Sequence, residues 1–126
     1  MKILLFVALG GALGVSCRYA VGILAVHLGS GQFPWGTATV NVAGSFMLGL
    51  LAAAMTFSWS PSPEMRAFLV VGVLGGFTTF SAFSLDVALL MERDRVVLAA
   101  VYMIGTVALS VGGLFAGIRL MRLILT

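Results

Sequence analysis

The sequence predicts an all-α membrane domain of four transmembrane helices, and three observations carry that prediction. Of 126 residues, 61% are hydrophobic and only 9% charged, whereas a small water-soluble domain carries about a quarter charged residues. At about 20 apolar residues per span, a chain of this length holds about four helices with short connections. The apolar residues, whose excess gives a mean hydropathy of +1.18, fall into four stretches separated by short polar punctuation. This composition excludes a soluble enzyme domain, a nucleic-acid binder and any sizeable extramembrane domain. The seven Lys and Arg against four acids are scattered, with no patch that grips a polyanion. The reading is therefore one membrane domain over residues 1–126, in a lipid bilayer, with no enzymatic role.

The first span is predicted from Ile3 to Leu28, ended by Gly29-Ser30-Gly31-Gln32 and Pro34. Lys2 followed by an apolar run imitates a secretory signal, but the run continues past Arg18 and is too long for one, so no cleavage is expected. Cys17 is the single cysteine and reads as a small hydrophobe. Gly10 and Gly14 are small residues four apart, the spacing that lets helix backbones approach closely in lipid. Arg18 sits mid-span, where a cation must face water, a counter-charge or the bundle interior. Asp86 is its candidate ion-pair partner, and an anion-attracting vestibule around Arg18 is the other reading. His27, near the helix end, reads as interfacial.

The second span is predicted from Trp35 to Phe57, closed by the loop Ser58-Trp59-Ser60-Pro61-Ser62-Pro63. Trp35 and Trp59 are 24 residues apart, about 36 Å along a helix, which suits the two interfacial belts. Thr37, Asn41 and Ser45 recur every four residues and stack on one helix face.

The third span, Met65 to Met91, contains Gly72-Val73-Leu74-Gly75-Gly76-Phe77-Thr78-Thr79-Phe80-Ser81-Ala82-Phe83-Ser84. Adjacent glycines and β-branched Thr weaken a helix, and irregular backbone at membrane depth survives only where it is buried in protein or lines a wet cavity. A break is predicted near Gly75 to Thr79, exposing carbonyls that hold a cation and amides or hydroxyls that hold an anion. Phe80 and Phe83 fall on one face of the helix that resumes, and their positive ring edges can face an anion.

After the turn Glu92-Arg93-Asp94-Arg95, the fourth span is predicted from Val96 to Leu123, with a second stripe of Tyr102, Thr106 and Ser110 and a second glycine pair, Gly113 and Gly117. The two stripes contain hydroxyls and an amide but no acid, which suits a dehydrating anion better than a cation or proton relay. Hydroxyls bonding back to their own helix, with Asn41 joining two helices, are the plainer alternative.

Four spans leave both termini on one side. Lys2, Arg66, Arg119 and Arg122 lie there, against Arg93 and Arg95 opposite. A four-to-two bias fixes orientation weakly, so insertion both ways, and an antiparallel dimer, becomes possible.

Gly10-Gly11-Ala12-Leu13-Gly14 with Arg18-Tyr19, Gly36-Thr37, Asn41-Val42-Ala43-Gly44-Ser45, and Gly75-Gly76-Phe77-Thr78-Thr79-Phe80-Ser81-Ala82-Phe83 together resemble the bacterial fluoride channels called Fluc or CrcB. The match covers nearly the whole chain. It implies a dual-topology antiparallel homodimer in the bacterial inner membrane, with two fluoride pores and a central structural sodium ion, and no organic cofactor. By motif, Phe80 and Phe83 resemble the pore aromatics, Asn41 the pore amide, and Thr79, Ser81 and Ser84 hydroxyls beside the pore. Tyr102, Thr106 and Ser110 resemble the polar track of the fourth helix, and Arg18 with Thr37 the vestibule. Gly75 and Thr78 resemble the residues whose carbonyls, from both subunits, hold sodium. Asp86 stands where the family usually carries Glu.

The resemblance implies a passive, selective pore that exports cytoplasmic fluoride and gives fluoride resistance. Hydrofluoric acid enters as a neutral molecule and dissociates inside, so the trapped anion leaves down its gradient without ATP. A small multidrug-type exporter is the rival of the same size, but it needs an acid in the first helix, where this chain has Arg18. A non-transporting assembly subunit needs only the glycine motifs, and leaves Asn41 and the Thr-Thr-Phe-Ser run without a role.

Overall fold

The computed structural model describes residues 1–29 and 31–126, so Ser30, in the first predicted turn, lies outside the described residues. Among the described residues the chain is helical, without strands, and four helical segments are long and apolar enough to cross a membrane. These are Lys2–His27 (α1), Trp35–Phe57 (α2), the composite span Pro63–Glu92, and Val96–Leu125 (α6). Gly29 and Gly31, at φ +73° and +66°, take the left-handed backbone that turns the chain between α1 and α2.

The composite third span starts two residues earlier than predicted. The Ser62 hydroxyl accepts the Met65 N–H at 3.1 Å and Pro63 occupies the first helical position, so the Ser-Pro loop ends by capping the helix that follows. The span comprises a short α-helical turn Pro63–Arg66 (α3), an eight-residue π-helix Ala67–Leu74, one more turn Gly75–Phe77 (α4), and Phe80–Glu92 (α5). The predicted break is present, but confined to two residues. Gly75, Gly76 and Phe77 remain helical, while Thr78 (φ −88°, ψ 157°) and Thr79 (φ −154°, ψ 124°) are extended. The glycines permit close packing, and the two β-branched residues carry the extended backbone.

Glycines set the helix contacts. A Cβ on Gly10 would strike the Phe68 carbonyl and one on Gly14 the Val73 carbonyl, so α1 lies directly against the π-helix. Between α2 and α6 the corresponding pair is Gly49 against the Leu114 carbonyl and Gly117 against the Phe46 carbonyl. Gly113, grouped with Gly117 by its spacing, makes only ordinary contacts, the nearest being the Val42 carbonyl at 3.5 Å.

Few side chains are buried within the chain. Phe83, Leu90, Ala99 and Tyr102 form one cluster between α5 and α6, covered by Phe33 from the first loop. Most large hydrophobic side chains, such as Leu4, Val97 and Ile104, point outward, as expected where the surroundings are apolar.

Candidate functional site

The extended pair Thr78 and Thr79 interrupts the ladder of helical hydrogen bonds, and backbone groups at membrane depth need replacement partners. Asn41 supplies them for Thr79. Its Oδ1 accepts the Thr79 N–H at 2.8 Å while its Nδ2 donates to the Thr79 carbonyl at 3.0 Å. One amide side chain from α2 thus pairs with both backbone groups of the residue at the break and keeps a second N–H for another acceptor. The Thr79 hydroxyl accepts the Ala82 N–H at 3.1 Å, which caps α5. Arg18 reaches from α1 and donates through Nε to the Gly76 carbonyl at 3.0 Å.

The Gly75 and Thr78 carbonyls are among those that lose their helical donors. In a continuous helix the Gly75 carbonyl would receive the Thr79 N–H and the Thr78 carbonyl the Ala82 N–H. Both donors are diverted, to Asn41 Oδ1 and to Thr79 Oγ1. The Thr78 hydroxyl is itself turned back to the Leu74 carbonyl at 2.9 Å.

Asn41 and Thr79 also line a cleft of about 320 Å³ between α2, the break, α5 and α6. Phe80, Phe83, Thr106 and Ser110 complete its functional lining, and Val107 and Val111 give it an apolar flank. The Phe80 and Phe83 rings are 5.5 Å apart between centroids and tilted 46°, with Phe80 76% exposed and Phe83 6%. The Ser110 hydroxyl is buried with no hydrogen-bond partner. Helical hydroxyls elsewhere behave differently. Ser16 bonds back to the Ala12 carbonyl, Thr56 to Ala52 and Ser84 to Phe80.

Six of the nine residues predicted for the pore are therefore gathered on one cleft: Asn41, Thr79, Phe80, Phe83, Thr106 and Ser110. Tyr102 stands behind it, fully buried, its ring packed against Phe83 at 5.1 Å between centroids and tilted 45°, and donating to Asp86 Oδ2 at 3.0 Å. Ser81 is exposed and shares a hydroxyl contact with Thr79 at 3.2 Å, and Ser84 faces outward. Asp86 is engaged by Tyr102 and Arg18 by Gly76, so the ion pair considered from sequence gives way to two separate contacts. Ser45, which shares the cleft, was visible in sequence as the third member of the Thr37-Asn41 stripe. Thr78 also lines the cleft, in addition to its expected carbonyl role.

Arg18 and Thr37 line a second, wider groove of about 500 Å³ between α1 and α2. Thr79 borders both cavities. The break residue is thus the point where groove and cleft meet.

A four-span bundle with one span broken at a donor-lined cleft, and no carboxylate among the cleft's described residues, defines a membrane protein of the channel or transporter class. Residues 5–118 match the family described as CrcB-like protein, Camphor Resistance (CrcB). The chain belongs to this family. It is 57% identical over 122 residues to a fluoride-specific ion channel FluC of Rhodospirillum centenum, covering 97% of both chains. Proteins of the same name from Nitrobacter winogradskyi (52% identical, 96% of both chains) and Rhizobium meliloti (48%, 97% of this chain and 98% of the relative) are similar over the same length.

Proposed function

We propose that this chain is a fluoride channel that passively exports the anion across the bacterial inner membrane, acting as an antiparallel homodimer. The observation that carries the reading is the cleft itself. Asn41, Thr106 and Ser110 present an amide and two hydroxyls to one space, without a carboxylate beside them. Fluoride is small and strongly hydrated, so a pore must replace its water with several donors. The buried, unpartnered Ser110 hydroxyl and the spare Asn41 N–H meet that need. The Phe80 and Phe83 rings line the passage, and the weakly positive edge of an aromatic ring can face an anion without holding it tightly, which favours release as well as entry. Arg18 faces the wider groove and attracts the anion to the Thr79 junction.

Dual topology is supported by the weak charge bias and by the Gly75 and Thr78 carbonyls, which lack helical donors. Gly75 is exposed, and a second copy packed antiparallel against this face would bring four such oxygens together. The donor set fits a sodium ion, which prefers oxygen ligands and here needs no acid. The Gly75 and Thr78 carbonyls of both copies would hold it, and it would supply positive charge that offsets their dipoles at the interface. No organic cofactor is needed.

The test is fluoride efflux from liposomes holding the purified protein, with chloride as control. Rapid fluoride loss without chloride loss is expected. Equal loss of both ions, or of neither from correctly assembled protein, overturns the reading.

A further inference from the structure

The two rings of the cleft stand on a lightly held helix. α5 carries Phe80 and Phe83, and among the described residues it packs on α2 and α6 alone. Its beginning is fixed by Asn41 and the Thr79 cap. Its middle meets Tyr102 of α6 twice, the ring against the Phe83 ring and the hydroxyl donating to Asp86. What backs Tyr102 in turn comes from outside the helices. The Phe33 ring, in the turn between α1 and α2, meets the Tyr102 ring edge on, with 5.4 Å between centroids and 87° between planes. Among the described residues, Phe33 is the one aromatic side chain of the partly buried set packed against this cluster.

A turn residue can hold another side chain in place only if its own backbone is fixed. Pro34, at φ −80° and ψ 73°, centres an inverse γ-turn in which the Trp35 N–H donates to the Phe33 carbonyl at 2.9 Å. The Pro34 carbonyl accepts the Ala38 N–H at 3.2 Å, so the turn leads directly into α2. Trp35 packs on Phe33 with 4.5 Å between centroids. A continuous series of rings therefore runs from Trp35 through Phe33, Tyr102 and Phe83 to Phe80 in the cleft. Every neighbouring pair is 4.5 to 5.5 Å apart, within the range at which aromatic pairs attract.

We propose that Phe33 is a positioning residue of the pore: it holds Tyr102, and through Tyr102 the tilt of the Phe83 ring, so the turn between α1 and α2 sets how well the cleft admits fluoride and rejects chloride. The inference rests on the channel reading. Phe33 lies outside the lining of the cleft, so it acts on the ion through the rings between them. With Phe33 in place, Tyr102 is fully buried and cannot leave Phe83 without entering occupied space. Removing the Phe33 ring opens space on the turn side, into which Tyr102 can swing, and Phe83 loses the wall behind it. An aromatic pair shifts the balance between two ring positions about two- to tenfold. A displaced Phe83 leaves the cleft wider and its edge misaligned, which costs fluoride a close contact and gives a larger halide room.

The experiment is single-channel recording of fluoride current in planar bilayers holding the purified protein, with the fluoride-to-chloride permeability ratio taken from the reversal potential. Unitary current separates positioning from folding, because a variant that only folds less well gives fewer channels of unchanged size. Phe33→Ala should lower the unitary fluoride current about threefold and lower the permeability ratio. Phe33→Leu, apolar but without a ring, should show the same losses, and it carries the test if Phe33→Ala does not assemble. Phe33→Tyr keeps the ring and should conduct like wild type. Phe6→Ala is the control, since it deletes an edge-on pair with Phe68, 6.4 Å between centroids, in the contact between α1 and the π-helix. It should lower the melting temperature and leave unitary current unchanged. A wild-type unitary current or an unchanged permeability ratio in the ringless Phe33 variants overturns the proposal, as does an equal loss in Phe33→Tyr or Phe6→Ala. Absence of fluoride current in the assembled wild-type protein overturns the channel reading beneath it.

Discussion

The two halves of the third span are held in different ways. Before the break, the π-helix lies against α1 through backbone contacts at Gly10 and Gly14, with no room for a Cβ on either glycine. After the break, α5 begins on a side-chain cap from Thr79, and Phe83 buries its ring against Tyr102 of α6. The first half is positioned by backbone against backbone, the second by side chains. Between them stand two polar residues from other helices, Arg18 on Gly76 and Asn41 on Thr79. Helix propensity alone does not specify such a junction, because the residues that satisfy it are 58 and 38 positions away in sequence. The difference locates function on the side-chain half, where donors are free to turn toward an ion.

The largest effect should come from removing the residue that joins the halves. Asn41→Asp loses the donor to the Thr79 carbonyl and sets a carboxylate against that oxygen and against an entering anion. An unsatisfied buried group costs about 1–3 kcal/mol and a charged one more, so fluoride flux should fall at least about 100-fold in liposome efflux. Flux near the wild-type rate in an assembled dimer would place the pore elsewhere.

Next in size is the backbone half. Gly14→Val drives a side chain into the Val73 carbonyl, and overpacking of this kind costs about 1–3 kcal/mol even where neighbours can shift. Here the neighbour is backbone, so the yield of folded protein in detergent should drop, by size-exclusion chromatography and thermal melting. Gly11→Val, three residues away with nothing near its Cβ position, should melt like wild type and serves as the control.

What the sequence discloses differs between the same two halves. The Gly-Gly-Phe-Thr-Thr run announced a break, because its residues disfavour helix. The π-helix was hidden, because Ala67–Leu74 is apolar throughout and offers no periodicity to read. The hydroxyl stripes were legible only in part. Residues four apart on a helix drift about 40° per step, so three of them do not share one facing surface. Tyr102 accordingly points behind Phe83 while Thr106 and Ser110 reach the cleft, and Thr37 faces the Arg18 groove while Asn41 and Ser45 face the cleft. Asn41 was visible as a donor, but its pairing with Thr79 depends on tertiary contact that no local pattern encodes.

A smaller effect tests the cap. Thr79→Val keeps the β-branched shape and deletes the hydroxyl that accepts the Ala82 N–H, which should cost about 1 kcal/mol. Thr79→Ser keeps the hydroxyl and should restore most of it. Thermal melts of the three proteins give the comparison, and a Thr79→Val melt unchanged from wild type would show that the start of α5 is held by Asn41 alone.

The smallest effect separates two serines that composition treats alike. Ser84 bonds back to the Phe80 carbonyl and faces outward, so its hydroxyl is already used by its own helix. The Ser110 hydroxyl is buried in the cleft region and has no partner. A hydroxyl that serves a permeating anion contributes only while the ion passes, and a net hydrogen bond is worth about 1 kcal/mol, so Ser110→Ala should slow fluoride efflux about five-fold with little change in melting temperature. Ser84→Ala should leave efflux at the wild-type rate. If both variants conduct equally, the unpartnered Ser110 hydroxyl is a packing feature, and the donors that replace water around fluoride reduce to Asn41, Thr106 and the hydroxyls near the break.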